Sequence, residues 1–137
     1  MRVMGIDFGD ARTGIAVSDL LCSIVGTTYV IHSRNREKTI SEVLRIVQEN
    51  GVTEIVIGLP KNMDGSEGAR ADLCREFAKQ VEEATSLPVA MWDERRTTVE
   101  AHNILSEHNY HGKKRKNTVD AVAASLILEG YLSFRSR

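Results

Sequence analysis

The sequence predicts an α/β fold: a mixed five-stranded sheet, three antiparallel strands followed by parallel ones, flanked by helices on both faces. Two observations carry this. Three strand patterns follow one another with only short turns between them, as in an antiparallel meander. Strand and helix patterns then alternate, which implies parallel pairing through crossovers.

The first strand reads Val3-Met4-Gly5-Ile6-Asp7-Phe8. A turn at Gly9-Asp10-Ala11-Arg12-Thr13 leads to a second, Gly14-Ile15-Ala16-Val17-Ser18, and a third is centred on Thr27-Thr28-Tyr29-Val30-Ile31. The apolar period then changes. Ile40, Val43, Leu44 and Val47 fall at helical spacing, with Asn50-Gly51 as a stop signal. Glu54-Ile55-Val56-Ile57-Gly58-Leu59 reads as a buried strand, and the loop over 60–68 holds the turn dipeptide Asp64-Gly65. Leu73, Phe77, Val81 and Ala84 mark a second helix, and Pro88-Val89-Ala90-Met91-Trp92 a fifth strand. Thr97 with Glu100 matches a capping box and starts a third helix. A basic loop over 110–116 precedes a last helix capped at Asn117 or Thr118, which carries Val119, Val122, Ala123, Leu126 and Leu132 and frays from Ser133.

The totals fit a single domain spanning 1–137: 42% of the 137 residues are hydrophobic and 27% charged. A net charge of -1 does not advertise a nucleic-acid binder, so such a partner must meet local basic patches. Cys22 and Cys74 stand in no metal or redox spacing and read as reduced thiols of a cytoplasmic protein. No signal peptide and no bilayer-spanning apolar run is expected.

Asp7 interrupts an apolar strand. Alternation puts Val3, Gly5, Asp7 and Gly9 on one face and Met4, Ile6 and Phe8 on the other. The flanking glycines are expected to leave space for a ligand. A buried carboxylate needs a partner, either donors or a metal ion. The competing reading, an aspartate capping the Gly9 to Thr13 turn, puts Asp7 too far from the turn. Asp93 and Glu94 end the fifth strand, where ligands of open α/β sheets gather. Glu94 shares its face with Ala90 and Trp92; an exposed pair balanced by Arg95 and Arg96 accounts for the same residues equally well. Asp120 falls in the first turn of the last helix, where the dipole alone favours an acid. It gains weight because Val119, Val122 and Ala123 press that helix on the sheet.

Three carboxylates suit Mg²⁺ or Mn²⁺, hard cations that prefer oxygen ligands. Two such ions roughly 3.5–4 Å apart can clamp an in-line phosphoryl displacement. His32, His102, His108 and His111 show no zinc-ligand spacing.

The chain resembles the YqgF family, described as Holliday junction resolvase-like proteins and as pre-16S rRNA nucleases. The resemblance covers essentially the whole chain. It rests on Gly5-Ile6-Asp7-Phe8-Gly9 with Arg12, Gly14 and Ser18-Asp19; on Ile57-Gly58-Leu59-Pro60, Asn62-Met63-Asp64-Gly65 and Glu67-Gly68; and on Asp93-Glu94-Arg95, Thr97-Thr98 and Asp120-Ala121-Val122-Ala123-Ala124. It implies a ribonuclease H-like fold, a divalent-metal nuclease and a role in maturing the 5′ end of small-subunit ribosomal RNA. It also implies Asp7, Glu94 and Asp120 as catalytic and metal-binding acids. Related resolvases carry an acid at the end of the fourth strand. Here that strand ends Gly58-Leu59-Pro60-Lys61, so Glu94 substitutes from the fifth. Lys61 and Arg96 depart from the family pattern by adding positive charge.

Phosphate contacts are expected from Arg12, from Lys61 and Asn62, from Arg95, Arg96, Thr97 and Thr98, and farther out from Lys113, Lys114, Arg115 and Lys116. Taken alone, the last run reads better as a solvated loop. With 5% aromatic residues, base stacking is a minor contributor. The expected partners are structured RNA such as pre-rRNA, or branched DNA, and ribosomal particles. The expected state is a monomer or weak homodimer away from membranes. One rival is a phosphate loop of actin-like kinases, which need two such domains. Another is a non-catalytic module binding RNA or a ribosome-assembly protein. A dinucleotide site is weaker, because no Gly-x-Gly-x-x-Gly follows the first strand.

Overall fold

A computed structural model describes residues 1–94 and 112–135. Strands β1 (Arg2–Asp7), β2 (Arg12–Ser18) and β3 (Val25–His32) are followed by helix α1 (Arg36–Asn50), β4 (Val52–Leu59), α2 (Ala69–Thr85), β5 (Val89–Asp93) and α3 (Gly112–Arg135). The sheet order is β3-β2-β1-β4-β5. β1 pairs antiparallel with β2 and parallel with β4, and β5 extends the parallel half. This is the mixed sheet that the patterns predict, with β1 at its centre. The expected helix start at Thr97 lies outside the described residues.

Alternation along β1 builds the two layers. Met4, Ile6 and Phe8 face one core, packed against Val43 and Ile46 of α1 and Phe77 and Val81 of α2. Val3 faces the other with Ala16 and Val56, against Ala124, Ile127 and Leu128 of α3. The predicted stop of α1 is present: Gly51 adopts φ +65°, a left-handed conformation that favours glycine, and its N–H donates to the Val47 carbonyl. At the other end Asn35 Oδ1 accepts from the Lys38 amide at 2.9 Å.

The helices differ from their predicted faces. α2 buries Ala71, Cys74, Phe77, Ala78 and Val81, whereas Leu73 and Ala84 are exposed. α3 buries Ala123, Ala124, Ile127, Leu128 and Leu132. It also begins at Gly112, so the backbone over 112–116 is helical rather than a loop, and neither Asn117 nor Thr118 is its cap. Asp120 therefore stands in the third turn, beyond the reach of a dipole effect confined to the first.

The Ser18-Asp19 motif has a structural role. Ser18 Oγ accepts from the Val3 amide at 2.9 Å, and Asp19 Oδ1 accepts from the amides of Ser23 and Ile24 at 2.8 and 3.2 Å. Among the described residues no helix is long and apolar enough to cross a membrane.

Candidate active site

Asp7 is the last residue of β1, and the residues beside it on the neighbouring strands are glycines. Gly14 of β2 lies directly opposite Asp7. Gly58 of β4 follows Ile57, the parallel partner of Ile6. A Cβ on Gly14 would lie 2.1 Å from the backbone oxygen of Asp120, and a Cβ on Gly58 would lie 2.2 Å from Glu94 Oε2. The row Gly14–Asp7–Gly58 is thus a floor with one side chain on it. Asp120 rests over one end and Glu94 over the other. Gly5 does not hold space for a ligand, as the sequence suggested. A Cβ there would meet Leu128 Cβ at 2.8 Å, so Gly5 admits α3.

β5 decides between its two acids. Ala90 and Trp92 pack on the α3 side, so alternation brings Glu94 to the face that carries Asp7, while Asp93 is exposed. The Glu94 amide continues the ladder, donating to the Leu59 carbonyl at 3.2 Å. It stands at the edge where the chain leaves β4 as Leu59-Pro60-Lys61, with no acid of its own there. Glu94 fills that space by reaching over Gly58.

The Asp7–Glu94 pair is electrostatically unfavourable as it stands. Burial first, then the charge of Asp120, pushes the Asp7 pKa up to about 6. Burial first, then the charge of Asp7, pushes Glu94 up to about 8. A hydrogen bond between the two carboxyls, which requires a shared proton, lowers Asp7 and raises Glu94. Arg70 lowers both values without restoring either. Glu94 Oε2 is buried and has no hydrogen-bond partner among the described residues. A buried acceptor left unsatisfied costs about 1–3 kcal/mol, so it marks a place where a ligand belongs.

This sets the pH dependence of the metal-free protein. Both acids bind protons more tightly folded than unfolded, where their ordinary values are 3.8 and 4.5. Stability must then fall as pH rises from the unfolded values through about 6 and about 8. Glu94→Gln removes the larger part of that slope. In chelator at pH 8 the variant is expected to be more stable than the parent by about 2 kcal/mol, with the gap closing toward pH 5. Urea melts across this range check it; parallel pH profiles would contradict it.

The third acid is close but committed elsewhere. Asp120 Oδ2 accepts from Arg12 Nε at 2.8 Å. Among the described residues no three Asp, Glu, His or Cys side chains converge tightly enough to hold a metal ion. Two carboxylates meet where the sequence suggested three. They fit a divalent cation, because Mg²⁺ commonly takes one or two carboxylates and completes its shell with water and substrate phosphate.

The remaining candidate residues are dispersed. Arg12 lies at the site but faces Asp120. Lys61 is half-buried at the exit of β4. Asn62 is exposed in a loop closed on itself, its Nδ2 donating to Ser66 Oγ at 3.0 Å. Arg95, Arg96, Thr97 and Thr98 lie outside the described residues; Lys113, Lys114, Arg115 and Lys116 fall in the first turns of α3. Sequence reasoning missed Arg70, in the first turn of α2. It donates from Nη1 to Asp10 Oδ1 at 2.8 Å and from Nη2 to the Phe8 carbonyl, and its charge reaches both buried acids. The signal was its place just after a loop leaving the acid-bearing edge of the sheet.

A model of the RuvX family, described as Holliday junction resolvase, matches residues 1–134. The chain belongs to the RuvX family. Among RuvX relatives, a protein of Halothermothrix orenii provisionally named pre-16S rRNA nuclease is 42% identical over 137 residues, covering all of this chain and 98% of that one. A protein of the same provisional name from Clostridium botulinum strain Eklund 17B is 45% identical over 132 residues, 96% of each chain. A solved structure of Thermus thermophilus RuvC in complex with a Holliday junction substrate superposes with TM-score 0.63 at 14% identity, over 99% of this chain and 96% of that one. That likeness establishes the ribonuclease H-like fold. In this fold the residues at the ends of β1, β4 and β5 frame the Gly14–Asp7–Gly58 floor, and α3 rests on it at Asp120.

Proposed function

We propose that this RuvX chain is a divalent-metal-dependent nuclease that hydrolyses phosphodiester bonds in structured RNA, with Asp7 and Glu94 as its metal-binding carboxylates. The observation that carries this is the half-buried Asp7–Glu94 pair, whose buried Glu94 Oε2 is unsatisfied among the described residues. A Mg²⁺ or Mn²⁺ ion bound there supplies Lewis-acid polarisation of a phosphoryl oxygen and a more acidic water. The chain's own residues do the rest. Asp7, paired with Gly14 of β2 at the end of β1, sets the position of the pair. Glu94 gives up its shared proton when the site fills. Asp120 stands at hand as a third carboxylate and reaches the pair only by leaving Arg12, which is then free to face a phosphate. The two-ion arrangement expected from the sequence requires that exchange.

The substrate reading rests on the relatives provisionally named pre-16S rRNA nucleases, and on that reading we infer a role in ribosome maturation in the cytoplasm. Branched DNA is the second reading, favoured by the family's description as Holliday junction resolvase. The purified protein is expected to cut precursor RNA or a four-way DNA junction with Mg²⁺ or Mn²⁺ and to stop in chelator. Gel assays on both substrates decide between them. Cleavage that persists in chelator would contradict the metal-dependent reading, and absence of cleavage on both would favour a binding module.

A further inference from the structure

Asp7 and Phe8 point to opposite faces of the sheet, and each gathers charge of one sign. Asp7 gathers carboxylates. Phe8 gathers guanidinium groups. Phe77 stacks on the Phe8 ring at 4.0 Å between centroids and 9° from parallel. The guanidinium carbons of Arg36 and Arg70 lie over the same ring, 5.6 and 5.3 Å from its centroid. With one face of Phe8 covered by Phe77, the two cations share the other. Arrangements of this kind are favourable for each cation alone and repulsive between the two. An anion set between them relieves the repulsion.

Space for one lies alongside. A cavity of about 180 Å³ opens between the turn after β1 and the connection from β3 to α1, lined by Phe8, Asp10, Ser33, Arg34 and Arg36 among others. Its two walls are tied by the Ser33 amide donating to the Ala11 carbonyl at 3.1 Å. The cations there are lightly committed. Arg34 is exposed and has no ion pair among the described residues. Among the described residues the one ion pair of Arg36 is with Glu76, at 3.6 Å, and Glu76 is itself 60% exposed. The one acid in the lining, Asp10, is already paired with Arg70.

We propose that Arg34 and Arg36, beside the Arg70–Asp10 pair, form a second anion site, which holds a backbone phosphate of the bound strand next to the phosphate at the acids. This rests on the nuclease reading above. Both sites open at the same end of β1, one on each side of its backbone, so a strand crossing that end meets them in succession. Arginine forks match phosphate oxygens bidentately, and phosphate contacts of this kind fix register without reading sequence.

The test separates this from the nuclease reading by measuring binding in a protein that does not cut. In an Asp7→Asn background, fluorescence anisotropy follows a structured precursor RNA and a four-way DNA junction from 50 to 200 mM salt. Adding Arg34→Gln and Arg36→Gln is expected to weaken binding about tenfold and to flatten the plot of log affinity against log salt by about 1 to 2. Lys79→Gln, an exposed cation elsewhere on α2, is expected to leave both unchanged. In the otherwise unaltered protein, the arginine pair of substitutions is expected to leave Mn²⁺ affinity in calorimetry unchanged. Unaltered affinity and salt slope in the arginine variants would overturn the proposal, as would tight ATP binding that those variants abolish, which assigns the cavity to a nucleotide. If the Asp7→Asn parent binds neither nucleic acid at any salt, the nuclease reading itself fails.

Discussion

Asp7→Asn is expected to lower cleavage by about 10³-fold and, in chelator, to make the protein more stable. The two effects have one cause. Asp7 is held where burial and the charge of Asp120 disfavour its ionised form, and its own charge is the second-largest influence on Glu94. A neutral amide of nearly the same shape removes the repulsion, so the metal-free fold gains stability above pH 6. It also removes a charged metal ligand, so the electrostatic stabilisation of the reaction is lost. Rate measurements at saturating Mn²⁺ and melts in chelator check the two halves. A variant that cuts at the parental rate would remove Asp7 from the chemistry. One that melts earlier in chelator would show that Asp7 serves the fold.

The second large effect is expected from a residue with no side chain. Gly14→Ala places a methyl group 2.1 Å from the Asp120 backbone oxygen, a contact that no rotamer change can relieve. α3 has to lift from β2 at Asp120. The expected outcome is a loss of about 1–3 kcal/mol of stability, as for other overpacked sites. Activity is expected to fall about 10²-fold, because displacement near 1 Å is enough for that. Gly58→Ala differs in kind. Its closest contact, at 2.2 Å, is the Glu94 carboxylate at the end of a flexible chain, and the next, at 2.6 Å, is the Ile127 terminal methyl. Those groups can swing aside, so the fold is expected to survive better than with Gly14→Ala while Mn²⁺ affinity falls. Melts and Mn²⁺ titrations of both variants compare the two. Equal loss of stability would contradict the distinction between a backbone and a side-chain obstacle.

What was legible in the sequence follows from what is periodic. The two faces of β1 were legible because alternation in a strand admits no other arrangement. The end of α1 at Gly51 was legible because a left-handed residue there favours glycine. The start of α3 was not. Lys113-Lys114-Arg115-Lys116 has good helix formers but no apolar periodicity, and four cations at a helix N-terminus oppose its dipole. The same misplacement put Asp120 in a first turn it does not occupy. The buried face of α2 was misread at Leu73 and Ala84 because small residues, Ala71 and Cys74, lie against the sheet where larger ones were expected.

The site was half legible for a similar reason. Asp7, Glu94 and Asp120 could be named, because charges in or beside apolar runs demand explanation. Their spacing could not. It depends on which strands are neighbours, on two glycines that fall beside Asp7 in register, and on Arg12 meeting Asp120 across 108 positions of chain. The guanidinium groups above Phe8 come from α1 and α2 and were invisible for the same cause. No local pattern brings Arg36 and Arg70 to one ring.

Asp7 and Glu94 are expected to exchange a shared proton for a divalent cation. Mn²⁺ titration calorimetry at pH 7 in two buffers of different ionisation enthalpy measures this directly. The expected result is saturable binding with release of about one proton, since burial and the charge of Asp7 push Glu94 up to about 8, and loss of both binding and release in Asp7→Asn. Mn²⁺ binding of equal strength in the Asp7→Asn protein, or none in the parent, would contradict it.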